Sequence, residues 1–132
     1  MDLIADTTFL IDLWREQRQP GSAWAFARNH DDWVIGLPWV VVGEFLSGGV
    51  IAGHRGEQLM EFIQHYPIIH TTIPIVRQYA ETYAFIRQHG IAIGPNDLWI
   101  AACASTLKLP MVTRNTRDFQ KLPELQILNY EQ

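Results

Sequence analysis

The stretch Pro95-Asn96-Asp97-Leu98-Trp99-Ile100-Ala101-Ala102-Cys103-Ala104-Ser105-Thr106-Leu107, followed by Lys108-Leu109-Pro110-Met111-Val112-Thr113, joins a helix signal to a strand signal. Pro95 stands where a first helical turn accepts proline, alanines fill the middle, and Pro110 closes the segment, so a helix is expected over Pro95–Leu107. Met111–Thr113 is a short apolar run with β-branched residues, the pattern of a strand buried on both faces. Working outward, the same strand pattern recurs at Leu3–Ala5, Val34–Gly36, Ile68–His70 and Ile127–Leu128. A second helix is expected between Pro74 and Gly90, with Val76, Tyr79, Ala80, Tyr83 and Ile86 as its apolar stripe, and a third over Glu57–Tyr66. Strands alternating with helices imply an α/β domain with a mostly parallel sheet covered on both faces.

Trp39-Val40-Val41-Val42 resists assignment. Its valines favour a strand, whereas Pro38 and the following Glu44-Phe45-Leu46 suit a helix. On a helix, Val40, Val41, Glu44 and Gly48 would share a face, and the Glu44 carboxylate would turn inward.

With 132 residues, 48% of them hydrophobic and 18% charged, the chain is expected to form a single domain over 1–132 with a core that needs no disulfide. The one cysteine, Cys103, lies in an apolar run and reads as core packing. Met1-Asp2-Leu3-Ile4-Ala5-Asp6 has neither the basic start nor the apolar stretch of a signal peptide, and no run reaches membrane-spanning length. A cytoplasmic protein without membrane contact is the expectation. The net charge of −4 argues against a simple phosphate-binding module, so a nucleic-acid ligand would need cations to hold it. The five histidines show no His-Glu-x-x-His spacing, and the glycines of 48–53 lack a Gly-Lys-Ser/Thr ending, which leaves zinc-helix and nucleotide-triphosphatase readings unsupported.

The informative polar residues are acidic. Asp6 ends the apolar run Leu3-Ile4-Ala5, Glu44 interrupts Val40–Leu46, Asp97 opens the apolar helix, and Asp118 follows the Met111–Thr113 strand. A carboxylate among apolar neighbours is unfavourable unless paired, hydrogen-bonded or bound to a cation. In an open parallel sheet, ligands bind beyond the carboxyl ends of the strands, where Asp6 and Arg114–Phe119 would stand. Asp97 in a first helical turn is stabilised by the helix dipole and can reach the same edge. Each also has a plainer reading: Asp6 as a helix cap, Asp97 as a dipole residue, Asp118 as a solvated turn residue. Together they describe an acidic pocket suited to a divalent cation.

Four segments carry a resemblance: Asp6-Thr7-Thr8-Phe9-Leu10-Ile11, Val42-Gly43-Glu44-Phe45, Asn96-Asp97-Leu98-Trp99-Ile100-Ala101-Ala102 and Thr113-Arg114-Asn115-Thr116-Arg117-Asp118-Phe119. In order and spacing they resemble the motifs of PIN-domain ribonucleases, in particular VapC-type toxins. The resemblance implies a three-layer α/β/α sandwich, an acidic cluster binding Mg²⁺ or Mn²⁺, and cleavage of RNA of the tRNA or rRNA class. It further implies a small antitoxin protein that covers the pocket, and a homodimer. Asp6 and Asp97 match the principal metal-ligating aspartates, and Glu44 matches the glutamate of the second motif. Thr8 stands where the family usually has Asn or Ser. Asn115 stands where an aspartate is frequent, and Asp118, three residues on, is placed to supply the missing charge if a helical turn begins there.

Mg²⁺ takes one or two carboxylates and keeps several waters, so Asp6 and Asp97 suffice as ligands, with Glu44 and the Asn115/Asp118 pair orienting waters. Hydrolysis by an activated water leaves 5′-phosphate and 3′-hydroxyl ends. Arg114 and Arg117 are expected to contact RNA phosphates, while Trp39 and Trp99 are expected to pack internally. Two other functions compete. A module that binds RNA or a protein without cutting is favoured by the neutral Asn115. A phosphoryl-transfer pocket of the receiver or haloacid-dehalogenase kind is disfavoured, the latter because it expects Asp-x-Asp where this chain has Asp6-Thr7-Thr8.

Overall fold

The structure, a computed structural model, describes all residues 1–132. Five strands alternate with seven helices: β1 (Leu3–Ala5), α1 (Thr7–Arg15), α2 (Ser22–Asn29), β2 (Ile35–Pro38), α3 (Trp39–Ile51), α4 (Gly56–Ile63), β3 (Ile68–Ile69), α5 (Ile73–Gln88), α6 (Pro95–Leu107), β4 (Met111–Thr113), α7 (Thr116–Phe119) and β5 (Ile127–Asn129). The strands form one sheet in the order β3-β2-β1-β4-β5, and every neighbouring pair is parallel. The expected α/β class with a mostly parallel sheet is found, in its all-parallel form.

The order follows from the chain. From β1 the path moves outward to β2 and then β3, with α1 packed on α2 and α3, and α3 on α4. After β3 it returns across the sheet through α5 and α6, which pack on each other, to β4 on the other side of β1. Right-handed crossovers place helices on both faces when the direction of travel reverses, giving the three layers. Leu3, Ile4, Ala5, Met111, Val112 and Thr113 are therefore completely buried, which explains why β1 and β4 read as continuous runs instead of alternating ones. The reversal also opens a crevice between β1 and β4, where strand register pairs Ile4 with Met111 and Ala5 with Val112.

α6 has the expected bounds, starting at Pro95 and ending where Lys108 turns left-handed at φ 54°. Gly90, at φ +64°, takes the left-handed turn that follows α5. The segment that resisted assignment is helical: α3 begins at Trp39, directly after Pro38 ends β2. Pairing of β2 with β3 stops at Pro38–Ile69, and beyond it the valines pack as a helix face, with Val40, Val41 and Phe45 buried. Of the face expected for that helix, Val40 and Val41 are buried and Glu44 is half-buried, but Gly48 is exposed.

Two packing expectations are corrected. On α5 the buried line runs through Ile75 and Ile86, with Tyr79 and Phe85 partly buried against the core, while Val76, Ala80 and Tyr83 face outward. The helix carries apolar residues on two adjacent stripes, so periodicity alone does not choose between them. Trp39 is not internal: 39% of its surface is exposed. It lies at the first position of α3, at the carboxyl edge of the sheet, where no further layer covers it.

Candidate active site

Asp6 follows β1 directly and occupies the N-cap of α1, with extended backbone at φ −88° and ψ 175°. Its Oδ1 accepts the backbone N–H of Phe9 at 3.0 Å and the hydroxyl of Thr8 at 2.8 Å. Its Oδ2 accepts the hydroxyl of Thr113, the last residue of β4. The plain reading of Asp6 as a helix cap is thus found, on the same residue that the resemblance offers as a metal ligand. The carboxylate is 3% exposed, and burial pushes its pKa up against the three hydrogen bonds and the nearby positive charge of Arg114.

Glu44 arrives from the second turn of α3 and accepts the Thr7 hydroxyl on Oε1 at 2.6 Å. Asp97 stands in the first turn of α6, half-buried. Its pKa is pushed up from 3.8 to about 6, first by burial and then by the carboxylates of Glu44, Asp6 and Asp118. Four acidic side chains from four separate segments thus stand at the carboxyl edge of the sheet, near enough for the charges of the other three to reach Asp97. Asp118 lies in α7, whose N-cap is Asn115. The Asn115 amide donates to Asp118 Oδ2 at 3.3 Å, and Lys121 pairs with Oδ1 at 3.4 Å. The expected helical turn does form, and it holds Asn115 and Asp118 side by side.

No three acidic or histidine side chains are already gathered as a ligand set for an ion. Mg²⁺ does not require one, since one or two carboxylates suffice and water and substrate complete the shell. The carboxylate donors are all oxygens, and the repulsion of Glu44, Asp6 and Asp118 on Asp97 is what a divalent cation would relieve. The residues present fit a hard divalent cation held by Asp6 and Asp97.

Thr8 is tied to Asp6, so its hydroxyl orients the carboxylate. Arg117 is exposed on the short α7. Arg114 is exposed as well, yet Nη1 of its guanidinium is held at 3.1 Å by Asp12. Asp12 is a residue that the sequence reading passed over. Only 9% exposed, it also accepts the Tyr130 hydroxyl at 2.6 Å. Tyr130 is itself buried, edge-on to Phe9 at 5.0 Å, and burial followed by the bond to Asp12 raises its pKa. Asp12 had the same signal as Asp6, a carboxylate amid Leu10-Ile11 and Leu13-Trp14. Thr7, Thr113 and Tyr130 carried no such signal.

A PIN domain is matched over residues 3–125, and the chain belongs to the PIN domain family. Within that family it is similar to the Ribonuclease VapC of Rickettsia bellii, 35% identical over 97% of this chain and 96% of the relative. The toxin–antitoxin complex VapBC2 of Rickettsia felis, solved bound to a DNA fragment from its promoter, contains a chain that superposes with a TM-score of 0.82 and 25% identity, covering 98% of both chains. A chain of VapBC-1 from nontypeable Haemophilus influenzae superposes with a TM-score of 0.83 over 100% of each chain, at 21% identity, and speaks for the fold alone.

Proposed function

We propose that this chain is a divalent-cation-dependent endoribonuclease of the VapC kind, the toxin half of a toxin–antitoxin pair, acting on cellular RNA of the tRNA or rRNA class in the cytoplasm. The observation that carries the reading is a half-buried Asp97 at the carboxyl edge of a parallel sheet, its pKa pushed up to about 6 first by burial and then by the charges of Glu44, Asp6 and Asp118. Membership of the PIN family and similarity to proteins named Ribonuclease VapC support it.

Asp6 and Asp97 would hold Mg²⁺ or Mn²⁺. The bound cation would supply an activated water and charge neutralisation for phosphodiester hydrolysis. The protein's own groups do the rest. Asp6 is immobilised by Thr8, Phe9 and Thr113, so one carboxylate is fixed before anything binds. Glu44, anchored by Thr7 through Oε1, leaves Oε2 to accept a proton or orient a water. Asn115 and Asp118 contribute one negative charge between them at the fourth position. Arg117, and the guanidinium edge of Arg114 that Asp12 does not occupy, supply phosphate contacts on the segment that follows β4.

The VapBC2 complex, at 25% identity, supports a small antitoxin protein as partner. A homodimer is supported by the outward stripe of α5, where Ile73 is 72%, Val76 40% and Tyr83 46% exposed. The test is cleavage of total cellular RNA by partner-free protein in Mg²⁺, Mn²⁺ or EDTA, with Asp97→Asn alongside and product ends mapped. Metal-dependent cuts that vanish in the variant are expected. Binding of RNA without cutting in either metal would replace this reading with that of a non-catalytic module.

A further inference from the structure

We propose that the groove lined by Trp39, Val40, Gly43, Glu44, Ser47 and Asn96 is a stacking subsite for one unpaired nucleobase of the RNA substrate, an inference that rests on the ribonuclease reading. The groove has a volume of about 460 Å³, within the range of small-ligand sites. It opens beside the acids: Glu44 is shared with them, and Asn96 directly precedes Asp97 in the first turn of α6.

Its chemistry suits a base and not a phosphate. No lysine or arginine lines it, and Glu44 would repel an anion. What it offers is an exposed indole, the amide of Asn96 with both donor and acceptor, and the Ser47 hydroxyl. The Trp39 indole is braced from behind. It lies 5.9 Å from the Trp99 ring, which in turn stacks on Tyr79 at 3.9 Å with the planes 18° apart. A large aromatic held by a ladder of aromatics, yet 39% exposed, is a platform with little entropy left to lose on stacking.

The wall is also kept open. Trp39, Gly43 and Ser47 lie four residues apart along one face of α3, and a Cβ added at Gly43 would meet nothing within 4 Å. Glycine in a helix interior is unfavourable by roughly 0.5–1 kcal/mol against alanine, so this one lowers helix stability while leaving room in the groove.

The test uses the full-length protein and an RNA oligonucleotide spanning a cut mapped in total cellular RNA, with derivatives lacking one base at a time around the cut. Removing one particular base is expected to lower wild-type kcat/KM by roughly ten- to a hundredfold, the range of a single base–aromatic stack. Trp39→Ala should lose a similar factor on intact RNA and be indifferent to that same base removal, whereas Trp39→Phe should keep most of the rate. Gly43→Leu, a better helix former, should slow cleavage with no fall in melting temperature. The subsite is overturned, with the ribonuclease reading intact, if base removal is without effect, if Trp39→Ala and base removal multiply independently, or if Trp39→Ala changes only the dimer mass in light scattering. Failure of every version to cut any RNA would remove the ribonuclease reading and the subsite with it.

Discussion

Asp97→Asn should make the metal-free protein more stable while abolishing its cutting. The Asp97 carboxyl is raised from 3.8 to about 6 by burial and by Glu44, Asp6 and Asp118. That displacement corresponds to about 3 kcal/mol, which solvent screening of a half-buried group reduces to about 1–2 kcal/mol. An anion in a first helical turn recovers about 0.5 kcal/mol from the helix dipole, leaving a net gain of about 1 kcal/mol for the neutral amide. For a chain of this size that is a rise of about 3–5 °C in melting temperature. The sign depends on pH. A carboxyl whose folded pKa lies above its unfolded value keeps the native state more protonated between about pH 4 and 6, so wild-type stability falls as pH rises through that window. Thermal unfolding of both proteins in EDTA should therefore give coincident curves at pH 4 and a separation that is complete by pH 7.5. Mg²⁺ should then stabilise the wild type by about 2.7 kcal/mol at a hundredfold excess over its dissociation constant and leave the variant unmoved. A variant equally or less stable at pH 7.5, or a gain that does not change with pH, would refute the idea that the four acids repel one another at one point.

Tyr130→Phe removes a 2.6 Å hydrogen bond to the buried Asp12 and should lower unfolding free energy by about 1–3 kcal/mol in urea titrations; an unchanged midpoint would mean that Arg114 alone satisfies Asp12. Thr7→Val keeps the shape of the side chain but frees Glu44, and should reduce kcat by about tenfold with less than about 1 kcal/mol of destabilisation, measured by single-turnover cleavage and thermal melting. Asn115→Asp puts a second carboxylate where the amide now donates to Asp118 at 3.3 Å. Metal-free protein at pH 8 should lose about 1 kcal/mol, and Mg²⁺ should restore it; a loss that Mg²⁺ leaves in place would place Asn115 outside the cation's reach.

Strands and helix ends were legible where one constraint acted alone. β1 and β4 are covered on both faces, so Leu3–Ala5 and Met111–Thr113 read directly as apolar runs, and proline marks α6 at the start. Residues 39–42 were ambiguous because β-branched valines and a helix start compete locally, and the end of β2 pairing at Pro38 is a tertiary fact. The α5 stripe was misread because Ile75 and Val76 both offer an apolar face, and only packing on α6 selects one. α2 was passed over because it is short, although Ala23, Phe26 and Ala27 stand at i, i+3 and i+4 and pack on the core. Among the acids, Asp6, Glu44 and Asp97 stood out by interrupting apolar runs. Their partners did not, because Thr113 and Tyr130 meet Asp6 and Asp12 across 107 and 118 residues, contacts that depend on strand order.

The two aspartates placed as ligands are held in opposite ways, and the difference has a consequence. Asp6 is nearly inaccessible, and three hydrogen bonds offset part of its burial, one of them the cap that starts α1. Its charge is therefore built into the fold, across the crevice that joins β1 to β4. Asp97 is more open, and its environment is dominated by burial and by other carboxylates that only raise its pKa. Metal-free repulsion is thus concentrated on the residue that solvent and a cation can reach, while the inner carboxylate stays in place. On the function proposed above, a cation reaching this edge would meet one ligand already positioned and one whose unfavourable charge it would relieve. The same asymmetry lets an acidic cluster persist in a small domain: the repulsion between its carboxylates falls on a half-exposed side chain, where water screens it.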